Sequence, residues 1–374
     1  MPALSRERPN DGVFEIGPYG HPLESFTLLD PHSEVWEAIR SFTLEARFID
    51  VAMREHGKTR SEARRAFREA RYYLIQAAEF EAAAAGASHR AKPLLDYYSM
   101  LNLAKFVVSV RRPDLLSERN PRHGLGFGPG ARDGGVTVRQ IRLTSSTGVF
   151  SSLVTMLTGQ APPATFTLDD VMARIVDIGL EYQAGWGSAS RLQECFATYR
   201  LSYGASEGWL HLELVCRRGE WPTVRRRLGW PGSPVLRMHR VKSDDEAAVH
   251  LESVPFAFRP DYPREAVLRV AAELQRMGAA LADFDTPVFS RRRRRRLVVP
   301  WKPRTGAPLP EMAAIYAMAF YLSDVVRYRP HLYDNSVITN DQWVLNTFGR
   351  VAARKFAQLA LNLIMQREHR FTRY

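Results

Sequence analysis

The chain has 374 residues, and 52 Lys and Arg side chains against 40 Asp and Glu give a formal net charge of +12. Its composition, 45% apolar and 25% charged residues, excludes wholesale disorder, a collagen-like repeat and a disulfide-dense scaffold. Two cysteines, Cys195 and Cys216, can form at most one bridge. No stretch has the roughly 18 apolar residues that span a bilayer, and no signal peptide is evident. We therefore expect a cytoplasmic protein with no membrane partner.

The positive charge comes almost wholly from arginine. Six of the 52 basic side chains are lysines, so 46 are arginines. Such a skew can arise from a GC-rich genome, because several arginine codons are GC-rich. The pI of about 9.9 nevertheless favours association with polyanions, which makes RNA, DNA or a nucleotide the candidate partner.

The first third of the chain predicts helices. Asp30-Pro31 is a helix start, and an apolar repeat follows it up to Gly57. Thr59 and Glu62 form a capping box for a second helix, which the short connection makes an antiparallel neighbour of the first. A third helix begins near Pro93 and ends at Arg112. Residues 120–130, rich in glycine and proline, predict a loop.

The middle of the chain predicts mainly strands. Residues 135–143 alternate like a strand, 192–203 and 209–217 read as a hairpin, and 236–241 pairs with 248–254. Helices are expected at residues 167–182 and 263–281. The last 70 residues return to helix, at 310–326 and from a second capping box at Thr339 to about 365.

These patterns predict an α+β fold, in which helical N-terminal and C-terminal segments pack together around a central antiparallel β-rich section. The predicted division is a helical segment 1–130, a mixed β-rich section 131–305 and a helical segment 306–374. The terminal segments should pack on each other, since each is too small to bury its apolar faces alone.

Six consecutive arginines are the strongest local feature. Arginine forks match phosphate oxygens, although in an extended segment at most about three could face one surface. A solvated connection in an arginine-rich protein is the alternative interpretation. The nucleic-acid-binding candidates are Arg291, Arg292, Arg293, Arg294, Arg295 and Arg296.

Signatures of other chemistry are missing from the sequence. There is no phosphate-binding P-loop, and the glycines of 124–130 lack a strand–turn–helix context. No histidine or cysteine spacing suits a metal, and no nucleophile elbow occurs. We expect no metal and no cofactor, and we interpret the two cysteines as small core residues.

Two polar clusters stand out against apolar helices. Tyr98, Asn102 and Lys105 share one face of the third helix, and a polar stripe on a buried helix needs partners. A ligand could supply them, and so could a structural network. At the end of the 310–326 helix, basic residues would also suit the negative end of the helix dipole. The ligand-binding candidates are Tyr98, Asn102, Lys105, His123, Arg327, Arg329 and His331.

These clusters also carry a family resemblance. Residues 93–105 (PLLDYYSMLNLAK), followed by His123-Gly124-Leu125, resemble the first signature block of the YaaC-like bacterial proteins. Residues 321–332 (YLSDVVRYRPHL), followed by Trp343, resemble the second. The resemblance covers the two helical ends, while the β-rich middle resembles no known family. It implies a soluble bacterial protein without an agreed biochemical activity.

The arrangement of the first three helices is similar, more weakly, to HEPN proteins. Many of these bind nucleotides or cut RNA, often in toxin or phage-defence systems. Their ribonuclease members use an Arg and a His separated by four to six residues on one helix. Here Arg119 and His123 have three residues between them, in a loop, whereas Arg47 and His56 have eight.

Three functional hypotheses follow, and whether the protein is an enzyme stays open. The first is a protein that binds nucleic acid or a nucleotide through arginine-rich surface. The second is a HEPN-like ribonuclease effector of a defence or toxin–antitoxin system, dependent on His123 or His331. The third is a scaffold that self-associates or binds a protein partner. The first is favoured, on the charge, the Arg291–Arg296 run and the paired polar clusters.

Overall fold

A computed structural model describes most of the chain. The residues described are 12–15, 24–27, 31–116, 122–129, 137–186, 193–217, 222, 236–242, 246–259, isolated positions from 261 to 269, 288–289, 295–299, 309–330, 340–366 and 369–372. They belong to two compact units. One comprises Met1–Phe26, Gln193–Trp301 and Arg367–Thr372; the other comprises Thr27–Leu192, Lys302–Gln366 and the last two residues. We name them the strand unit and the helical unit.

The strand unit is built on an antiparallel sheet. Its central hairpin pairs two eleven-residue strands, with Tyr199 opposite Leu212, and the shorter strands extend it on both sides. The last strand, β13 (His369–Thr372), pairs separately with β2 (Glu24–Thr27). The strands of the large sheet are β1 (Gly12–Glu15), β6 (Gln193–Tyr203), β7 (Glu207–Arg217), β8 (Leu236–Lys242), β9 (Glu246–Ser253), β10 (Phe256–Ala257), β11 (Val288–Phe289) and β12 (Arg295–Val299).

The helical unit begins with three helices: α1 (Pro31–Arg40), α2 (Glu45–His56) and α3 (Arg60–Ala85). Gly57 ends α2 in the left-handed conformation, and the capping box of Thr59 and Glu62 starts α3. The single helix predicted from Asp30 to Gly57 is wrong, because a short 3-10 turn, Ser41–Thr43, interrupts it. There the hydroxyl of Ser41 donates to the carbonyl of Ala38, a local bond that competes with continued helix.

The central helix of this unit is α4 (Lys92–Arg111), which packs against α3 and both C-terminal helices. A three-stranded antiparallel sheet follows, and its first strand lies inside the segment predicted as loop. The predicted strand 135–143 is displaced, and the predicted helix 167–182 is broken by a 3-10 turn. The elements are β3 (Leu125–Phe127), β4 (Arg142–Ser145), α5 (Val149–Thr158), β5 (Thr165–Thr167), α6 (Leu168–Met172) and α7 (Gly179–Trp186).

Two C-terminal helices complete the core of the helical unit: α8 (Glu311–Tyr328) and α9 (Asn340–Met365). Every residue of α8 from Glu311 to Val325 is buried, as its almost uninterrupted apolar sequence predicts. Helix α8 packs on α4, and the rings of Tyr97 and Phe320 lie 5.9 Å apart in an edge-on arrangement. Helices α4 and α8, with the segment that precedes β3, hold the residues of the candidate site.

The structure confirms the α+β class and the packing of the N-terminal helices on the C-terminal ones. The division at residues 130 and 305 stays a prediction; residues 137–186 lie in the helical unit. The predicted helix 263–281 and the capping box at Thr339 fall largely outside the described residues. Within the described part of the chain, no helix is long and apolar enough to cross a membrane.

Candidate functional site

One residue from each predicted polar cluster meets the other where α8 ends against α4, Tyr98 from the first and Arg327 from the second. Nη1 of Arg327 lies 3.5 Å from the hydroxyl of Tyr98, and its Nε donates to the carbonyl of Ser323 at 3.1 Å. The Tyr98 ring stacks on Phe80 of α3, with 5.2 Å between the ring centroids. Contacts from three helices therefore meet at Tyr98 and Arg327, and they hold the guanidinium group at the surface.

His123 lies two residues before β3, and both its backbone and its ring make contacts that hold it in place. Its carbonyl accepts a hydrogen bond from the hydroxyl of Tyr316 at 3.1 Å, and its ring lies 5.0 Å from that of Phe320. The backbone N–H of Leu125 donates to Nδ1 at 3.1 Å. Because a backbone N–H can only donate, Nδ1 is the acceptor, and the neutral ring carries its proton on Nε2.

The electrostatic surroundings of His123 are positive. Burial lowers its pKa below the ordinary 6.5, and the charges of Arg327 and Arg122 lower it further. Both arginines are exposed, and neither has a carboxylate within ion-pair distance among the described residues. The ring of Tyr328, 67% exposed, lies 5.1 Å from the Arg327 guanidinium. We name Tyr98, Arg122, His123, Arg327 and Tyr328 the Arg327 cluster.

Arg329 has a different environment from Arg327. Its Nη2 lies 3.0 Å from Oδ2 of Asp324, and the two side chains are only 14% and 6% exposed. The guanidinium also lies 5.3 Å from the ring of Phe127 and 6.0 Å from that of Tyr321, whose pKa burial raises to about 12. Since its charge is compensated inside the protein, Arg329 joins β3 to α8 as a structural residue.

Asn102 and Lys105 do not join the cluster. The buried amide of Asn102 donates to the carbonyl of Tyr98, one turn earlier in α4, at 3.0 Å. Nζ of Lys105 lies 5.3 Å from the ring of Tyr73 in α3, and burial lowers its pKa. Lys105 lies seven positions after Tyr98, about 10 Å along the helix. Asn102 is therefore bonded within α4, and Lys105 lies against a ring of α3.

The remaining candidates lie elsewhere or outside the described residues. His331 and Arg291, Arg292, Arg293 and Arg294 fall outside them. Arg295 and Arg296 begin β12 and pair in register with Ala197 and Phe196 of β6. The end of the arginine run is therefore part of the large sheet.

The ligand-binding candidates predicted from the sequence did not include three residues of this region: Arg122, Asp324 and Tyr328. Arg122 stands beside the recognised His123, and Asp324 stands five residues before its partner Arg329, so both offered a local signal. In the part of the chain that the structure describes, no group of three or more His, Cys, Asp or Glu side chains could hold a metal ion.

A family model described as YaaC-like Protein matches residues 41–364, most of the chain. The chain belongs to the YaaC-like protein family. The match confirms the resemblance seen at the helical ends and extends it through the middle section, which resembled nothing by itself. No curated protein and no solved structure matches this YaaC-like chain. The similarity to HEPN proteins stays a prediction.

Proposed function

We propose that this YaaC-like protein binds nucleic acid or a nucleotide, and that the Arg327 cluster contacts a phosphate group. The observation that carries the proposal is the exposed guanidinium of Arg327, which lies 3.5 Å from the Tyr98 hydroxyl and lacks a carboxylate partner among the described residues. An arginine held in this way keeps its charge and most of its donors for a ligand.

The neighbours of Arg327 suit the same ligand. The Nε2–H of neutral His123 is a further donor, and Arg122 adds a second positive charge. The exposed ring of Tyr328 offers a surface on which a base can stack. Donors and cations of this kind recognise phosphate oxygens without any metal.

The experiment measures binding of labelled RNA, labelled DNA and ATP at increasing salt concentration. We expect Arg327→Gln to weaken binding roughly tenfold and, for the nucleic acids, to reduce the slope of log K against log salt by about 0.7–0.9. The absence of salt-sensitive binding by the wild-type protein at low ionic strength would sink the proposal for nucleic acid, and absence of ATP binding would remove the nucleotide.

Arg112→Gln is the matched control. Arg112 lies at the end of α4 in the same unit, and its Nε and Nη2 pair with both carboxylate oxygens of Asp114, at 2.9 and 2.7 Å. The control removes the same charge from a compensated site, so it should bind like the wild type. An equal loss in both variants would mean that net charge alone governs binding.

The ribonuclease hypothesis gains no support from His123. A general base needs a free lone pair, whereas Nδ1 already accepts the Leu125 N–H and Nε2 carries the proton. Arg119 and His331 lie outside the described residues. This hypothesis and the scaffold hypothesis stay predictions, which RNA incubation and mass measurement in solution would test.

A further inference from the structure

The exposed face of α3 carries a regular row of arginines. Spacings of four, four and three residues place them within about 80° of one another around the helix axis, and all are exposed. Ala77, whose carbonyl accepts from Ser99 of α4, lies about 180° round the helix from Arg68. The row therefore faces away from α4. We name Arg60, Arg64, Arg68 and Arg71 the α3 arginine stripe.

The charge of the stripe is barely compensated. Nε of Arg64 lies 3.5 Å from Oε1 of Glu45. Both side chains are more than half exposed, so water screens this pair and it compensates little of the stripe's charge. Arg60, Arg68 and Arg71 have no carboxylate within ion-pair distance among the residues described.

The two acidic residues of α3 nearest to the stripe do not pair with its arginines. Glu62 accepts from the backbone N–H and hydroxyl of Thr59 in the capping box, which lowers its pKa. Glu69 projects about 100° round the helix from Arg68. Positive charge therefore dominates the stripe.

An exposed aromatic ring borders the stripe. Tyr72 is 65% exposed, and the guanidinium of Arg71 lies 5.9 Å from its ring centroid. Exposed aromatic rings beside a row of cations are the usual means of binding unpaired bases, because every base has a face that can stack.

We propose that the α3 arginine stripe binds the phosphate backbone of single-stranded nucleic acid and that Tyr72 stacks on one of its bases. Arginines one turn apart repeat about every 6 Å along the helix, a regular spacing that suits a regular polyanion better than the irregular carboxylates of an acidic protein. This inference goes beyond the phosphate contact at the Arg327 cluster. Either surface can fail while the other stands.

The test compares Arg60→Gln/Arg68→Gln with a control of equal charge change, Arg54→Gln/Arg112→Gln. Both arginines of the control pair with carboxylates, Arg54 with Asp50 at 3.0 Å and Glu55 at 2.7 Å, and Arg112 with Asp114. Binding of a labelled single-stranded oligonucleotide is followed by fluorescence anisotropy at increasing salt. Circular dichroism verifies that each variant is folded.

We expect Arg60→Gln/Arg68→Gln to weaken binding roughly tenfold or more and to reduce the salt slope by about 1.4, since each lost phosphate contact of a single strand contributes about 0.7. Tyr72→Ala should weaken binding roughly tenfold, whereas Tyr72→Phe should bind like the wild type.

The inference would be overturned if the salt slope of Arg60→Gln/Arg68→Gln were unchanged, or if the control lost as much binding affinity. It would also be overturned if the loss of affinity were confined to duplex DNA. Competition by polyglutamate as strong as by the oligonucleotide would overturn it too, because it would indicate an acidic protein partner. Loss of binding in Arg327→Gln alone would remove the stripe and keep the proposed function. Loss in the stripe variant alone would keep the stripe and remove the phosphate contact at the Arg327 cluster.

Discussion

Nζ of Lys355 in α9 lies 2.9 Å from Oδ2 of Asp177, and 3.8 Å from Oε2 of Glu311 at the start of α8. The Lys355 side chain is only 5% exposed and that of Glu311 is fully buried. A buried ammonium is tolerated only beside carboxylates, because desolvation of an isolated charge is too costly. This triad therefore ties α9 to α8 and to the 3-10 turn before α7.

We expect Lys355→Met to destabilise the protein by about 3–5 kcal/mol, because it leaves the buried carboxylate of Glu311 and the partly buried one of Asp177 without their cation. Urea unfolding measures the difference. Lys105→Met is the control, since Lys105 lies over the Tyr73 ring without a carboxylate partner among the described residues. A loss of stability no larger than in the control would contradict a role for the triad in stability.

His56 should make the protein less stable in acid. Its Nε2 lies 2.7 Å from the carbonyl oxygen of Ile364 in α9, and burial lowers its pKa to about 4. The unfolded chain takes up the proton near pH 6.5, before the folded protein does. Stability from this residue is therefore complete above pH 6.5 and falls as the pH drops toward 4, by about 3 kcal/mol in all.

Urea unfolding between pH 4 and 7 measures this effect. His56→Gln keeps an N–H donor for the Ile364 carbonyl but cannot titrate, so its stability should change less over this range. Parallel curves for wild type and His56→Gln would refute this assignment.

The parts of the fold that the sequence predicted well depend on local signals. The capping box at Thr59 and the proline at Pro93 specify where helices begin, and the apolar run from residue 311 specifies a buried helix. The break at Ser41–Leu44 was missed, since Phe42 and Leu44 continue the apolar pattern through it. Strand β3 was also missed, because three residues in a glycine-rich segment are too few to show the alternation of apolar and polar residues that predicts a strand.

The candidate site was predictable only in part. Tyr98 and Arg327 were each recognised, but 229 residues separate them, and their contact depends on how α8 packs on α4. The buried position of Lys355 was equally unpredictable from the sequence, because a lysine in an amphipathic helix ordinarily faces solvent. The α3 arginine stripe was not predicted, because the pattern that predicts this helix is that of its buried apolar face.

Gly148, just before α5, should be intolerant of a side chain. Its φ is +150°, and a Cβ there would lie 2.8 Å from the Cα and N of Gly124 and still closer to the carbonyl oxygen of Arg122. The N–H groups of Val149 and Phe150 donate to the carbonyls of Arg122 and His123, so α5 positions that segment. Gly148→Ala should therefore both destabilise the fold and displace part of the Arg327 cluster.

We expect Gly148→Ala to cost more than about 2 kcal/mol in urea unfolding, through strain and the backbone clash, and to weaken phosphate-ligand binding. Gly159→Ala is the control at the other end of α5, where φ is +71° and nothing lies within 4 Å of the added Cβ. It should cost about 1 kcal/mol and leave binding unchanged. Equal behaviour of the two variants would show that the contact with Gly124 does not matter.

The pKa of His123 reports directly on the Arg327 cluster. After burial, the charge of Arg327 is the larger electrostatic cause of the lowered pKa, and that of Arg122 is the smaller. Removing a positive charge makes the imidazolium less unfavourable. In an NMR titration, Arg327→Gln should therefore raise the pKa of His123 toward 6.5, and Arg122→Gln should raise it less.

Two controls separate charge from packing in that titration. Arg327→Lys keeps the charge and should keep the pKa lowered, whereas Arg112→Gln removes a distant, compensated charge and should leave it unchanged. A bound phosphate should raise the pKa of His123 because an anion stabilises the imidazolium. Binding should accordingly tighten as the pH falls through the pKa of the complex. If the pKa of His123 changed neither in Arg327→Gln nor with saturating phosphate ligand, the imidazole would lie outside the phosphate-binding surface.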